Sequence, residues 1–176
     1  REVNKNKAES ANIWFARGTH ADVINDRWSY KLSGGTYVSD PFARPTPTIP
    51  NGGTTQYPNY KNDGTNQPKF HARFDYDFAD PSRKLTLSGG VSGTDGIMHT
   101  GIGPFDVHSG SAMYYGKVNF NRKAFKLQGF MNVLDGEAAN LVSLDQTGKP
   151  IGLIFNTKTF DVEMGDTRIL AEKHVL

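Results

Sequence analysis

The side chains best suited to chemistry gather in one glycine-rich stretch, Gly93 to Ser111, "GTDGIMHTGIGPFDVHSGS". It holds Asp95, His99, Asp106, His108 and Ser109. Imidazoles and carboxylates can bind a metal, but about three or four must converge. The spacing here matches no metal template. Ser109, His108 and Asp106 name a hydrolytic triad by type. They are sequence neighbours, however, and nothing sets a base against a nucleophile. No G-x-S-x-G elbow occurs. "GIGPF" and "SGG" lack the following helix that a phosphate cradle needs. The chain has no cysteine, so disulfides, thiolate metal sites and cysteine nucleophiles are excluded together. The reading is that the chain is not an enzyme and uses no metal and no cofactor.

A second group of ionisable residues is ordered differently. In Lys69 to Phe78, "KFHARFDYDF", His71, Arg73, Asp75 and Asp77 take one parity. Phe70, Ala72, Phe74, Tyr76 and Phe78 take the other. Strand side chains alternate between faces, so this segment has one ionic and one aromatic face. The ionic row can pair with opposite charges across strands, Lys84 being a candidate neighbour beyond the turn.

Such a row needs strands on both sides, and the sequence supplies them. Arg27 to Val38 sets Trp28, Tyr30 and Leu32 against Ser29, Lys31 and Ser33. Lys84 to Ser92 sets Leu85 and Leu87 against Lys84 and Thr86. Ala112 to Phe120 sets Tyr114, Val118 and Phe120 against Tyr115, Lys117 and Asn119. Lys123 to Val133 sets Phe125, Leu127, Met131 and Val133 against Lys126, Gln128 and Asn132. Asn12 to His20, Ile151 to Val162 and Thr167 to Leu176 are weaker candidates, with a bulge expected near Phe155 where the parity slips. Helix signals are absent. The expectation is all-β, about eight antiparallel up-and-down strands.

The connections alternate in length. "DVIND", "ADPSR", "NRK" and "MGD" are short, whereas Asp40 to Pro68, Gly93 to Ser111 and Leu134 to Pro150 are long. Antiparallel strands send alternate connections to opposite ends, so long loops gather at one end and tight turns at the other. Trp28, Phe78, Phe120 and Phe125 sit beside the tight turns. A transmembrane β-barrel has these properties: loop asymmetry, aromatic girdles and alternating strands of about 9–11 residues. On this reading Trp28, Tyr30, Phe70, Phe74, Tyr76, Phe78, Leu85, Leu87, Phe120 and Phe125 face lipid. His71, Arg73, Asp75, Asp77, Lys84, Lys117, Lys126 and Gln128 face a wet lumen. A soluble sandwich or lipocalin-like carrier of small apolar ligands keeps the same alternation with the faces inverted.

Bulk numbers fit either. The 176 residues carry a net charge of +2 and are 36% hydrophobic, 11% aromatic and 22% charged. That charge is too small to argue for nucleic acid. No run of about 18 apolar residues exists, which excludes a transmembrane helix. The chain begins at Arg1, and its end reads as a strand without a turn, so either processing or an excerpt from something longer is expected.

Three stretches carry a resemblance: Tyr57 to Phe78, Leu85 to Phe120 and Asn132 to Ile151, "NVLDGEAANLVSLDQTGKPI". In their strand–loop–strand order they resemble the barrel region of TonB-dependent outer-membrane receptors, in the branch with an N-terminal carboxypeptidase-regulatory-like domain. The resemblance spans nearly the whole chain, most firmly from Tyr57 onward. It implies one segment, 1–176, of a transmembrane barrel, with the plug domain and TonB box lying elsewhere. It also implies location in the outer membrane of a Gram-negative bacterium. Implied partners are membrane lipid, the plug, the remaining barrel strands, the TonB complex and an imported siderophore, cobalamin or oligosaccharide. Ligand-loop candidates are Phe42, Tyr57, Tyr60, His99, Phe105 and His108, since long loops on rigid scaffolds carry recognition. A self-contained small outer-membrane barrel with an adhesive or structural role remains the other membrane alternative.

Overall fold

The computed structural model describes residues 11–41, 48, 56, 63–167, 169–170 and 174–175. They form strands and turns, and no helix occurs among them. The strands are β1 (Ile13–Val23), β2 (Trp28–Ser39), β3 (Thr65–Asp77), β4 (Arg83–Gly93), β5 (Gly96–Thr100), β6 (Gly103–Val107), β7 (Ala112–Arg122), β8 (Phe125–Leu144) and β9 (Pro150–Asp166). β10 (Ile169–Leu170) and β11 (His174–Val175) pair only with each other.

The first nine strands make one antiparallel sheet. β5 prolongs β4, and β6 leads into β7, so the chain runs as a meander whose legs each pair with the next. Among the described residues β1 and β9 do not pair, and the sheet is open.

Three connections at one end are short, as expected. Ile24 to Arg27 joins β1 to β2, Phe78 to Ser82 joins β3 to β4, and Lys123–Ala124 joins β7 to β8. Lys123 takes a left-handed backbone (φ 54), which a two-residue hairpin turn requires. "MGD" is not a turn. Met164 to Asp166 complete β9, and the Thr167 N–H donates to the Ala124 carbonyl at 3.4 Å.

The other end departs from the sequence reading. Gly93 to Ser111 is not a loop but a hairpin, β5–β6, turning at Gly101–Ile102. Leu134 to Leu144 is not a loop either. It extends β8 to 20 residues, and only Asp145 to Lys149 remain as a tip before β9. Backbone pairing explains both. β6 pairs with β8 through Phe105↔Asn140, Asp106↔Ala139 and Val107↔Ala138, and β9 flanks β8 on its other side. Hydrogen bonds on both edges override the poor strand preference of Gly, Asp, Asn and Ala in "LDGEAANL". The expected bulge near Phe155 is also displaced. β8 and β9 pair without a break from Phe125↔Asp166 to Asn140↔Ile151, and the register shifts between Asn140 and Leu144. The C-terminal segment forms the short β10–β11 pair rather than one strand.

The deepest burial lies at this extended end. Val107, Ala112, Ala138 and Leu141 are the buried apolar side chains of the described chain, joined by Ser39, Ser111, Asn140 and Pro104. Ser111 Oγ ties the strands by accepting from the Glu137 N–H (3.1 Å) and donating to its carbonyl (3.3 Å). Asn140 Oδ1 accepts from the Val142 and Ser143 N–H groups at 3.0 and 3.1 Å, satisfying backbone where the register shifts. Gly96 has a left-handed backbone (φ 97), and a Cβ there would strike the Gly64 carbonyl. Only glycine permits that approach of β5 to the entry of β3.

Candidate functional site

The candidate site is the sheet itself, read as two faces. Direct cross-strand partners share a face, so the register assigns each residue. Trp28, Tyr76, Leu85, Phe120, Leu127 and Met164 form one row. Tyr30, Phe74, Leu87, Val118 and Val162 form the next, and Phe70, Val91, Tyr114 and Val133 lie further along the same face. Asp77, Lys84, Asn121 and Lys126 form a row on the opposite face. Ser29, Asp75, Thr86, Asn119, Gln128 and Glu163 follow, then Lys31, Arg73, Ser88 and Lys117, then Ser33, His71, Gly90 and Tyr115. The residues read as lipid-facing thus share one face, and those read as lumen-facing share the other.

Exposure is mixed on both faces: Trp28, Tyr30, Tyr76, Leu85 and Phe120 are half-buried, and Lys31, Arg73, Asp77, Lys84 and Lys126 are exposed. On the aromatic face Phe70 is 49% exposed, Phe74 38%, Leu87 40% and Phe160 69%. On the ionic face His71, Asp75, Thr86, Lys117, Asn119 and Gln128 are half-buried. Exposed apolar side chains of this size each forgo roughly 1–2 kcal/mol of burial, and a contiguous patch of them is the kind of surface that marks an interaction or membrane site.

The aromatic face is bounded. At the tight-turn edge the rings of Trp28, Tyr76, Phe78, Phe120 and Phe125 form a continuous row. Successive centroids lie 4.7, 4.7, 6.0 and 6.4 Å apart, tilted or edge-on. Such geometry suits the ring quadrupoles. Just beyond, Arg83, Arg122 and Asp166 stand on the same face. At the other limit are Asp135 and Asn156, whose Nδ2 donates to Asp135 Oδ1 at 3.1 Å. From Phe125 to Asp135 is roughly 34 Å along the strand, or about 26 Å across a slab at the usual barrel tilt. β1 departs from the pattern, with His20 and Asp22 on this face and His20 Nε2 hydrogen-bonded to the Tyr30 hydroxyl at 2.9 Å.

The ionic face has one dense network. The Arg73 guanidinium grips Asp75 with two bonds of 2.8 Å, along the strand rather than across it. The Thr86 hydroxyl donates to Asp75 at 2.7 Å. Lys84 Nζ bridges Asp75 and Asp77 at 3.9 and 3.4 Å. The Asp75 side chain is only 13% exposed, so it needs these donors. The bridge to Lys84 is the cross-turn pairing the sequence suggested. Beside it the Tyr115 ring leans across Gly90 to stack on His71, with centroids 6.0 Å apart and planes at 16°.

The ligand-loop candidates separate. Phe42, Tyr57 and Tyr60 lie outside the described residues. His99 is on exposed β5 and lines a cleft of about 330 Å³ with Asp95, Asp63 and Tyr37. Phe105 is half-buried on β6 opposite Met98. His108 Nδ1 lies 3.5 Å from Glu137 Oε2. Among the described residues no group of three or more His, Asp or Glu is placed to hold a metal ion. Sequence reasoning did not single out Arg17, Lys31 and Lys69, which the register gathers on the ionic face, Lys31 opposite Arg73 and the other two further along the strands. Their parity was legible, but their grouping needed the β1–β2–β3 register.

No described helix is long and apolar enough to cross a membrane, which has no bearing on a crossing by strands. Comparison with protein-family models, with curated proteins and with solved structures finds no match to this chain.

Proposed function

We propose that this chain is part of the barrel wall of a TonB-dependent receptor in the outer membrane of a Gram-negative bacterium. The whole protein then imports a scarce ligand (an iron chelate, a cobalamin or an oligosaccharide) and performs transport, not catalysis. The observation that supports this reading is that Phe70, Phe74 and Leu87 are exposed while Asp75 and His71 are half-buried. A soluble carrier would shield Phe74 and Leu87. The mainly apolar band, which starts in the Arg122–Phe125–Asp166 row and carries Lys158 opposite Val133 near its other limit, is comparable in height to a barrel's hydrocarbon zone, about 25 Å. The ring row at the tight-turn edge matches an interfacial girdle. Edge strands β1 and β9 would pair with further strands, because open edges are not tolerated in hydrocarbon.

Insertion into liposomes tests the reading. The whole protein that carries this segment, its edges paired, should float with phosphatidylcholine vesicles and resist carbonate extraction. Leu87→Arg, in mid-band, should weaken insertion by about 2–4 kcal/mol. Asn119→Arg, on the ionic face between Thr86 and Gln128, should change it little. Equal effects of the two, or a whole protein that stays in the aqueous phase, would overturn the reading.

A further inference from the structure

We propose that the ionic face carries a binding site for a small, multiply anionic molecule, held between Arg17, Lys31 and Lys69 over the His71–Tyr115 stack. The proposal rests on the transport reading above, whose imported ligand it narrows to an anion. Five adjacent strands, β1, β2, β3, β4 and β7, build the site. The register sets Arg17 opposite Gly35 and Gly35 opposite Lys69. The next row pairs Thr19, Ser33, His71 and Gly90, and Gly90 faces Tyr115 on β7. The row below sets Lys31 directly opposite Arg73. The chain thus packs cations around a patch of hydroxyls, an imidazole and a phenol.

That arrangement is costly on its own. Like charges directly opposite each other on a sheet destabilise it. Asp75, the nearest carboxylate below, is already gripped by Arg73 and bridged by Lys84. Among the described residues no carboxylate forms an ion pair with Arg17, Lys31 or Lys69. A bound anion would offset the repulsion through charge-assisted hydrogen bonds.

The space fits a small molecule. These side chains line a hollow of about 810 Å³, walled on the ionic face by Phe15, Tyr37, Met113 and Tyr115. Ligand pockets run to roughly 300–1,000 Å³ and combine apolar walls with a few placed polar groups. The ligand class is therefore an anion with several carboxylate or phosphate groups, with room for an apolar body against Tyr115 and Met113. A neutral oligosaccharide does not match the charge.

Calorimetric titration of the chain folded in detergent micelles tests this, with benzene-1,2,4,5-tetracarboxylate, tripolyphosphate and maltotriose as probes. The two anions should bind and maltotriose should not. Anion affinity of the unaltered chain should fall as salt rises, since charge attraction is screened. Lys31→Gln and Lys69→Gln should each weaken tetracarboxylate binding about tenfold. Lys158→Gln, on the aromatic face, should leave it unchanged. Circular dichroism reports whether each variant keeps its strands, and the salt series needs no variant. Maltotriose binding as tightly as the anions, salt-independent binding, or normal binding by both Lys→Gln variants would each overturn the proposal. Liposome entry by the whole protein without anion binding would sink this inference and leave the transport reading standing. Anion binding without liposome entry would uphold the site and sink the transport reading.

Discussion

Asp145 organises the tip between β8 and β9 almost alone. Its Oδ1 accepts from the Thr147 N–H and hydroxyl, both at 2.7 Å, and from the Lys149 N–H at 3.0 Å. These donors, the Thr147 hydroxyl foremost, hold its carboxyl below the ordinary carboxylate range. A depressed folded value means the tip is favoured fully above about pH 4 and loses that support as pH falls through the folded value. Hydrogen exchange read by mass spectrometry should therefore show Thr147 to Lys149 losing protection at acid pH before the body of β8. In Asp145→Ala that protection should be low at every pH. Protection that ignored both changes would show the carboxylate is dispensable. The sequence discloses this tip only as part of a long connection, Leu134 to Pro150. It did not disclose Ser111 or Asn140, because their burial depends on segments that pack from far along the chain.

At the scale of strands, alternation was the legible part. It placed Phe74 and Asp75 on opposite faces, and the register keeps them there across β2 to β8. The β5–β6 hairpin was illegible because "GIMHTGIGPFDV" is dense in Gly and Pro, which signal turns. Its strand character comes from the pairing of β6 with β8. The upper half of β8 was missed for the same reason. Glycine within a strand also has a purpose that only neighbours reveal. A Cβ on Gly90 would lie 2.5 Å from the Phe70 carbonyl oxygen and 2.8 Å from Tyr115 Cε1. Gly90→Ala should push Tyr115 off His71 and cost about 1–3 kcal/mol in urea unfolding from micelles. Adding Tyr115→Ala to it should recover only part of that loss, since the backbone clash remains. An unchanged unfolding midpoint would mean the strand shifts freely.

Among the described residues the molecule is an antiparallel sheet whose margins, β1 and β9, do not pair, with several exposed apolar side chains on one face. Whether its ionic face lines a lumen was beyond the sequence, since an inverted barrel has the same alternation; exposed Phe70 beside half-buried His71 is the observation on which the membrane proposal leans. The margins give a further expectation. Amides of β9 that point away from β8 should exchange within seconds in the isolated chain. In a longer protein that supplies the next strand, they should become as slow as those of β8. Rapid exchange in both settings would argue against a neighbouring strand.

The meander also governs how the chain reaches this shape. Each leg meets the leg before it and the leg after it, yet most contacts join residues a dozen or more positions apart. Topologies of that kind fold slowly, because distant segments must meet before their contacts can form. Hairpins can zip upward from the tight turns in the order of synthesis. The Ser111–Glu137 tie spans 26 positions and locks only after β8 has climbed past β7. The far rim, where burial is deepest, is therefore the last part to set, and it serves as the clasp that keeps finished hairpins from unzipping.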